Sequence, residues 1–459
     1  MLADLSGHLL KLQEVHRFPN GPVNLPTGLY WDTLRLFHEI LEGLRAAARL
    51  TGRLESIAID TWGVDFGLVG ADGALIDNPR HYRDPRTAGL PEKMFEIVPR
   101  AAIFAATGIQ FMELNSLYQL WSIERETPWR LAQAKALLFM PDLFNYFLCG
   151  AMASERTIAS TSQFYDPARG RFATELFERL GMPSGFLAGL VDSGVRLGSV
   201  RPALADSCGV PRETPVYTTA SHDTASAVAA VPADGRSQWC YISSGTWSLM
   251  GMELERPLIN EASLAANFTN EVGVGGSIRF LKNIPGLWLL QECRRAWARE
   301  GKEYSYDELI AMAREAEHSG TVLELEAFQS PGQSAERVMD YCRDTGQPVP
   351  GTPGAVCRVI LYSLAVRYRE VLGVLEELTG QRVEVIHIVG GGSRNRLLNQ
   401  LTADVTGRRV VAGPSEATAA GNALVQALGA GHLGSLAELR QVVRESFAVE
   451  EFVPKNRFS

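Results

Sequence analysis

The sequence predicts an α/β protein of two domains, and three observations carry that prediction. The chain has 459 residues, about three times the ~150 of an average domain. Strand-like and helix-like apolar spacings alternate along it. After Pro232-Ala-Asp-Gly-Arg236 the pattern restarts, so that each half shows a hairpin signal near its start and strand–helix units behind it. The composition is 46% apolar and 21% charged, which is enough to bury a core and excludes global disorder.

Taken in order, Lys11 to Phe18 reads as a strand closed by Pro19-Asn-Gly-Pro22. Thr33 to Leu50 reads as a helix, with Leu34, Phe37, Ile40, Leu41 and Leu44 at helical spacing. Leu54 to Ile59 is a short strand ending in Asp60-Thr-Trp-Gly-Val-Asp65, and Phe66–Val69 and Ala74–Ile76 flank the hairpin signal Ala71-Asp-Gly73. Residues 85–205 are rich in helical spacing; Thr214 to Thr219 is a strand that runs through Ala220-Ser-His-Asp223 into a helix over Thr224 to Val231. In the second half Gln238–Ser243 and Ser248–Glu253 flank the turn Ser244-Gly-Thr-Trp247. Val359, Tyr362, Val366, Val371 and Leu375 mark a long helix over 355–378. The β-branched strand Val383–Val389 feeds Gly390-Gly-Gly-Ser393, and a last helix covers Ser415 to Leu428. The expected domains are 1–233 and 234–459, and the absence of any 20–50-residue repeat excludes a solenoid.

Lys and Arg number 44 against 52 Asp and Glu, a net charge of −8, which argues against nucleic acid as a partner. No apolar run is long enough to span a membrane, and the first residues show no basic-then-apolar leader, so a cytoplasmic protein without a membrane partner is expected. The cysteines, Cys149, Cys208, Cys240, Cys293, Cys342 and Cys357, form no C-x-x-C pair and read as buried small apolar residues. Cys342 and Cys357 are close enough in sequence to bridge a loop, but cytosolic thiols stay reduced. No P-loop and no H-E-x-x-H occurs. Gly429-Ala-Gly-His-Leu-Gly434 has the spacing of a dinucleotide fingerprint but follows a helix instead of a strand, and reads as a helix end and turn.

Four segments could carry chemistry. Ser221-His-Asp-Thr224 puts a carboxylate at a strand end just before a helix, where Asp223 either caps the helix or acts as a base near an anion. Ser243-Ser-Gly-Thr-Trp-Ser248 is a hydroxyl-rich turn whose backbone N–H groups could meet a phosphate, or a plain hairpin turn. Gly390-Gly-Gly392 after a buried strand allows close backbone approach to a ligand, and the small residues of Gly413 to Asn422 suit tight packing or a nucleotide lying alongside. Asp60 to Asp65 combines an indole with two carboxylates, which suits a polyhydroxylated ligand or a turn over a core Trp62.

Together these segments, with Tyr82-Arg-Asp84, Asn267 to Glu271, Leu281-Lys-Asn-Ile284, Gly286-Leu-Trp-Leu-Leu-Gln291 and His387-Ile-Val-Gly-Gly-Gly392, resemble the L-rhamnulose branch of the FGGY carbohydrate kinase family over nearly the whole chain. The resemblance implies two ribonuclease-H-like domains of the actin and sugar-kinase superfamily, hinged around a cleft. The first domain would hold the sugar and the second ATP. It implies ATP and Mg2+ as cofactors and phosphorylation of L-rhamnulose at its 1-hydroxyl, in rhamnose catabolism. Asp223 would be the general base, His222, Thr224, Gly63 and Asn283 would touch the sugar, and Thr246, Gln291 and Gly391 would hold the nucleotide. No side chain is assigned as a metal ligand; Mg2+ would ride on phosphate oxygens and waters.

The departure lies at the front. These kinases open with a strand and an Asp-x-Gly-x-x-x-x-Arg phosphate loop, and no such motif occurs in the first 30 residues. The expectation is a first domain lacking that strand, with the natural start further upstream. Kinases of related deoxyketoses such as L-fuculose, and a truncated sugar-binding protein without catalysis, stay open as alternatives.

Overall fold

The computed structural model describes residues 1–328, 332 and 334–455. The chain forms two compact units. The first comprises Met1–Ala230, Glu253–Phe280 and Thr418–Ser446; the second comprises Val231–Met252, Leu281–Ala417 and Phe447–Ser459. Against the expected division at 233/234, two later segments, 253–280 and 418–446, cluster with the first unit.

The first unit opens with two hairpins, β1 (Leu2–Ser6) with β2 (Leu9–Gln13), and β3 (Pro22–Leu25) with β4 (Gly28–Trp31). The expected strand over Lys11–Phe18 thus lies a few residues early, with β2 ending at Gln13. Helix α1 (Thr33–Thr51) is amphipathic: the Asp32 carboxylate accepts from Arg35 N–H at 3.1 Å, and Gly52 ends the helix in a left-handed conformation, φ 66°. Strand β5 (Phe66–Gly70) is buried along its length and pairs antiparallel with β6 (Ala134–Phe139), which leads into α2 (Met140–Cys149). Between Leu54 and Ile59, where a strand was expected, only the bridge of Ile57 to Val216 forms. The core of this unit includes several large rings, with Phe104, Phe139, Phe164 and Phe177 at 0–2% exposure, each of which takes a large apolar area from water. Helix α3 (Asp223–Ala229), strand β9 (Thr269–Val272), the first part of β10 (Ile278–Pro285), most of α6 (Ala417–Gly429) and α7 (Leu436–Ser446) complete it.

In the second unit β7 (Trp239–Ser244) pairs antiparallel with β8 (Trp247–Leu254) and parallel with β11 (Val385–Val389); β11 pairs parallel with β12 (Arg409–Ala412), and β12 antiparallel with β13 (Glu450–Phe452). Strand β11, Val-Ile-His-Ile-Val, is buried at every position, as a strand covered on both faces must be. Helix α4 (Trp288–Arg299) follows β10, and the long helix α5 (Pro353–Thr379) spans the expected 355–378 region, with Val359, Val366, Val371 and Leu375 buried. The Thr352 hydroxyl caps its start and Gly380, φ 68°, its end. All six cysteines, including Cys342 and Cys357, are free thiols. Among the described residues no helix is long and apolar enough to cross a membrane.

Candidate active site

In the first unit two chain segments about 160 residues apart in sequence run parallel and end together. Tyr217 N–H donates to Ile57 O at 2.8 Å, Thr61 N–H to Ser221 O at 3.0 Å, and Asp223 N–H to Thr61 O at 2.9 Å. Each bond satisfies a backbone group that would otherwise be orphaned. The ladder brings Asp60 and Thr61 beside Ser221, His222 and Asp223, and α3 starts where it stops.

His222, with no capping hydrogen bond from its side chain, holds the cap position of α3, and Asp223 is the first helical residue. The Asp223 side chain is 46% exposed, and one carboxylate oxygen accepts from Thr224 N–H at 2.7 Å and the Thr224 hydroxyl at 3.3 Å. A carboxylate there is favoured by the free N–H groups of the helix start, while its exposure leaves it able to accept from a ligand. The segment is pinned from behind: Ser221 N–H donates to Glu155 Oε2 and His222 N–H to Thr157 Oγ1, each at 3.2 Å. Glu155 is fully buried; burial pushes its carboxyl up, although donors from Thr157, Ile158 and Ser193 oppose this.

Asp60 lies in the same corner and accepts a short hydrogen bond from the Asn422 amide. Burial raises its carboxyl to about 7, the Asn422 amide opposes that rise, and the Asp223 charge adds to it. Asn422 reaches it because α6 packs tightly on α3: a Cβ on Gly421 would stand 1.8 Å from the Ser226 carbonyl oxygen. The small residues of 413–422 thus include one, Gly421, that serves helix packing.

The Asp60–Asp65 segment divides into two roles. Asp65 is fully buried and accepts from Trp31 Nε1 (2.6 Å), Trp62 Nε1 (3.0 Å), Tyr82 N–H (3.2 Å) and Gln119 Nε2 (3.0 Å). Burial raises its carboxyl to about 6 despite these donors. It is an internal anchor for the loop. Gly63 lies over Thr161, whose side chain would be 3.2 Å from an added Cβ and whose hydroxyl accepts from Val64 N–H at 3.0 Å. Val64 adopts φ 66°, a conformation that a β-branched residue holds only when its surroundings enforce it.

The second unit presents the other expected residues. Thr246 sits in the turn between β7 and β8, with its hydroxyl 3.2 Å from Gln291 Oε1. The turn is clamped by Gly286 N–H to Thr246 O (3.1 Å), Leu287 N–H to Gly245 O (3.0 Å) and Trp288 N–H to Thr246 O (3.2 Å). Gly286 permits this, since a Cβ there would stand 2.7 Å from the Trp247 carbonyl carbon. In the glycine run after β11 the roles differ. A Cβ on Gly392 would lie 2.0 Å from Ser244 Oγ and one on Gly390 3.2 Å from Ser244 O, whereas Gly391 is exposed and a Cβ there would meet nothing within 4 Å. Asn283 is half-buried on β10, also in this unit. Gly429 ends α6 and packs on Gly194, consistent with the helix-end reading of the Gly429–Gly434 run.

A cavity of about 510 Å³ lies elsewhere in the first unit, between Tyr30, Phe66, Leu68, Arg80, Arg86 and Arg130, and holds none of these residues. Its guanidinium groups face nearby carboxylates, Arg130 to Asp77 at 2.7 Å and Arg80 and Arg86 to a shared Asp84 at 3.4 and 3.7 Å, and Glu126 also lines it.

With this geometry in view, residues 31–230 match the N-terminal domain model, and 240–430 the C-terminal domain model, of the FGGY family of carbohydrate kinases. The chain is 43% identical over 449 residues to the rhamnulokinase of Bacteroides thetaiotaomicron, covering 97% of this chain and 91% of that one. The chain belongs to the FGGY family of carbohydrate kinases. It is also 38% identical over 460 residues to the rhamnulokinase of Bacillus subtilis, with 99% and 93% covered. The fold agrees with that of solved kinases. The gluconate kinase of Lactobacillus acidophilus superposes with a TM-score of 0.78 at 13% identity, over 95% of this chain and 87% of that one. The glycerol kinase of Plasmodium falciparum with ADP gives 0.77 at 14%, over 95% and 88%. The expected two-domain mixed α/β kinase fold is therefore the fold of the chain.

The structure gathers His222, Asp223, Thr224 and Gly63 in one unit and Thr246, Gln291, Gly391 and Asn283 in the other. Asp60, read from sequence as one of two carboxylates suited to a polyhydroxylated ligand, joins the first group, and so do Asn422, Glu271 and Arg279, which were given no role of their own from sequence. The signal that could have found Arg279 is a lone charge at an inward position of the apolar run Ile278-Arg-Phe-Leu281, all of it buried.

Proposed function

We propose that the chain transfers the γ-phosphoryl group of ATP to the 1-hydroxyl of L-rhamnulose, forming L-rhamnulose 1-phosphate and ADP. The observation that carries this is the 43% identity to a rhamnulokinase along almost the full length of both chains. The local chemistry supports it. Asp223 is a half-exposed carboxylate on a rigid helix start, suited to accept the hydroxyl proton as the sugar oxygen bonds to phosphorus and the bond to ADP breaks. His222 and Thr224 flank it, and the Gly63 backbone and Asn283 contribute further polar contacts to the sugar.

The second unit fits a nucleotide. Gly391 offers backbone with open space where a side chain would project, and Thr246 lies in a clamped hydroxyl-bearing turn against Gln291. Thr246, Gln291 and Gly391 would hold ATP, and Mg2+ would enter with the triphosphate and neutralise part of its charge.

The test is ADP release by the purified chain with Mg-ATP and L-rhamnulose, L-fuculose or L-xylulose. The reading expects L-rhamnulose to give the highest kcat/KM. Preference for another ketose would reassign the substrate, and sugar binding without turnover with any of them would overturn the kinase reading.

A further inference from the structure

Behind His222 lies a charged pair with no part in the roles above. Arg279, on β10, is 0% exposed, and Glu271, on β9, is 4% exposed. Arg279 Nη2 stands 3.1 Å from Glu271 Oε2, and Arg279 Nε–H donates to Val272 O at 3.2 Å. The same Nη2 is 3.2 Å from His222 Nδ1, in hydrogen-bonding geometry. Glu271 Oε2 is also 3.2 Å from Nδ1. The opposite ring nitrogen, Nε2, faces Asp223 Oδ1 at 3.6 Å, a gap beyond direct hydrogen bonding but one that a hydroxyl touching both groups could fill.

A fully buried arginine is costly as scaffold. Its charge must be matched, and here Nη1 finds no acceptor among the described residues. An apolar residue of similar volume would serve packing at less cost. The placement of Arg279 makes sense through the imidazole. A guanidinium can only donate. Arg279 meets Nδ1 in hydrogen-bonding geometry, whereas Glu271 Oε2 at the same distance has no partner in such geometry among the described residues, so the ring nitrogen there accepts and the ring proton stands on Nε2. Glu271 completes the device by pairing with Arg279: burial would raise its carboxyl, but Arg279 and the neighbouring His222 together outweigh this and keep the group below the usual carboxylate range. The carboxylate thus stays charged against the guanidinium.

We infer that Arg279, anchored by Glu271, is a positioning residue that holds His222 in its Nε2–H form, so that the site presents one donor, His222 Nε2–H, beside one acceptor, Asp223. A sugar oxygen next to the reacting hydroxyl then accepts from His222 while the reacting hydroxyl donates to Asp223. A ligand lacking an acceptor at that neighbouring position is discriminated against, because a built donor is left unpaired. This assignment rests on the sugar-kinase reading for its ligand, but not for its ring geometry.

Two measurements test it. In the ligand-free protein labelled with 15N-histidine, long-range 1H–15N spectra identify His222 by its loss in His222→Gln. The expected pattern is a proton on Nε2 and a bare Nδ1, replaced by a mixture of forms in Arg279→Met and in Glu271→Gln. A proton on Nδ1 in the parent, or a pattern unmoved by Arg279→Met, overturns the inference whatever the enzyme's substrate. In turnover, Arg279→Lys is combined with His222→Ala. Arg279→Lys alone is expected to lower kcat/KM for the sugar roughly 10- to 100-fold while leaving KM for ATP unchanged, and to add nothing in the His222→Ala background. Multiplying losses would assign Arg279 a purely structural role and refute the proposal. If the parent protein turns over no sugar, the function reading fails and the spectra alone decide the ring assignment.

Discussion

Gly421→Ala tests whether the position of the base depends on helix packing far from it in sequence. An added Cβ would stand 1.8 Å from the Ser226 carbonyl oxygen, where real Cβ contacts do not fall below 3.0 Å. The helices must therefore part by about 1.2 Å at that point. The obstacle is backbone on both sides, so no side-chain rotation relieves it. Overpacking of this kind costs about 1–3 kcal/mol, a lowering of several degrees in Tm. The kinetic effect should be the larger. Ser226 lies one turn from Asp223 on α3, and a displacement near 1 Å of a reacting group costs about 100-fold in rate. The assay is ADP release at saturating Mg-ATP and sugar, with thermal melting on the same samples. The expected result is a kcat lowered on the order of 100-fold in a protein still folded at the assay temperature. A variant with parental kcat and parental Tm would refute the claim that α6 sets the position of α3.

Other expectations are more local. Asp223→Asn should lower kcat about 10²–10⁴-fold with little change in Tm, because the carboxylate is half-exposed; retention of more than a tenth of the activity would remove Asp223 from the role of base. Gly392→Ala should destabilise by about 1–3 kcal/mol, because its Cβ would lie 2.0 Å from Ser244 Oγ. Gly391→Ala, facing open space, should leave the unfolding free energy within about 0.5 kcal/mol of the parent while raising KM for ATP, and the reverse pattern would contradict the assignment of Gly391 to the nucleotide. For Asp60 the folded carboxyl is raised from 3.8 to about 7. The folded protein therefore keeps a proton that the unfolded chain has lost over that range. This contribution to stability is full below pH 3.8 and is lost as pH rises through about 7. Asp60→Asn should lose less stability than the parent between those limits in pH-dependent denaturation, and equal slopes would show that Asp60 is not buried as a neutral acid.

Much of the site was legible because its pieces are local. Ser221-His-Asp-Thr224, the Thr246 turn and the Gly390–Gly392 run are short segments whose residue types suit particular backbone forms at strand ends. Helices α1 and α5 were legible from apolar spacing within a residue or two. The strand expected over Leu54–Ile59 was not obtained as such, because pairing with 215–217 is limited to the isolated bridge of Ile57 to Val216. The triple glycine looked like one ligand-contact element, but two of its members answer to Ser244, on β7, and only Gly391 faces open space. Asp65 looked as suited to a sugar as Asp60, and its four internal donors show it instead to be an anchor.

By itself the sequence determined the fold class, the family and the identity of the carboxylate placed at the start of α3. Periodicity and short ordered motifs depend on neighbours within a few residues, and these are written in the chain. Only the tertiary structure decided which distant groups stand behind those motifs. The Asn422 amide on Asp60, the Glu155 anchor of Ser221 and the Arg279 guanidinium on His222 join residues 57 to 362 positions apart. Such contacts arise when buried polar groups must find partners across a packed interior, and no local pattern in the chain specifies which partner each will find.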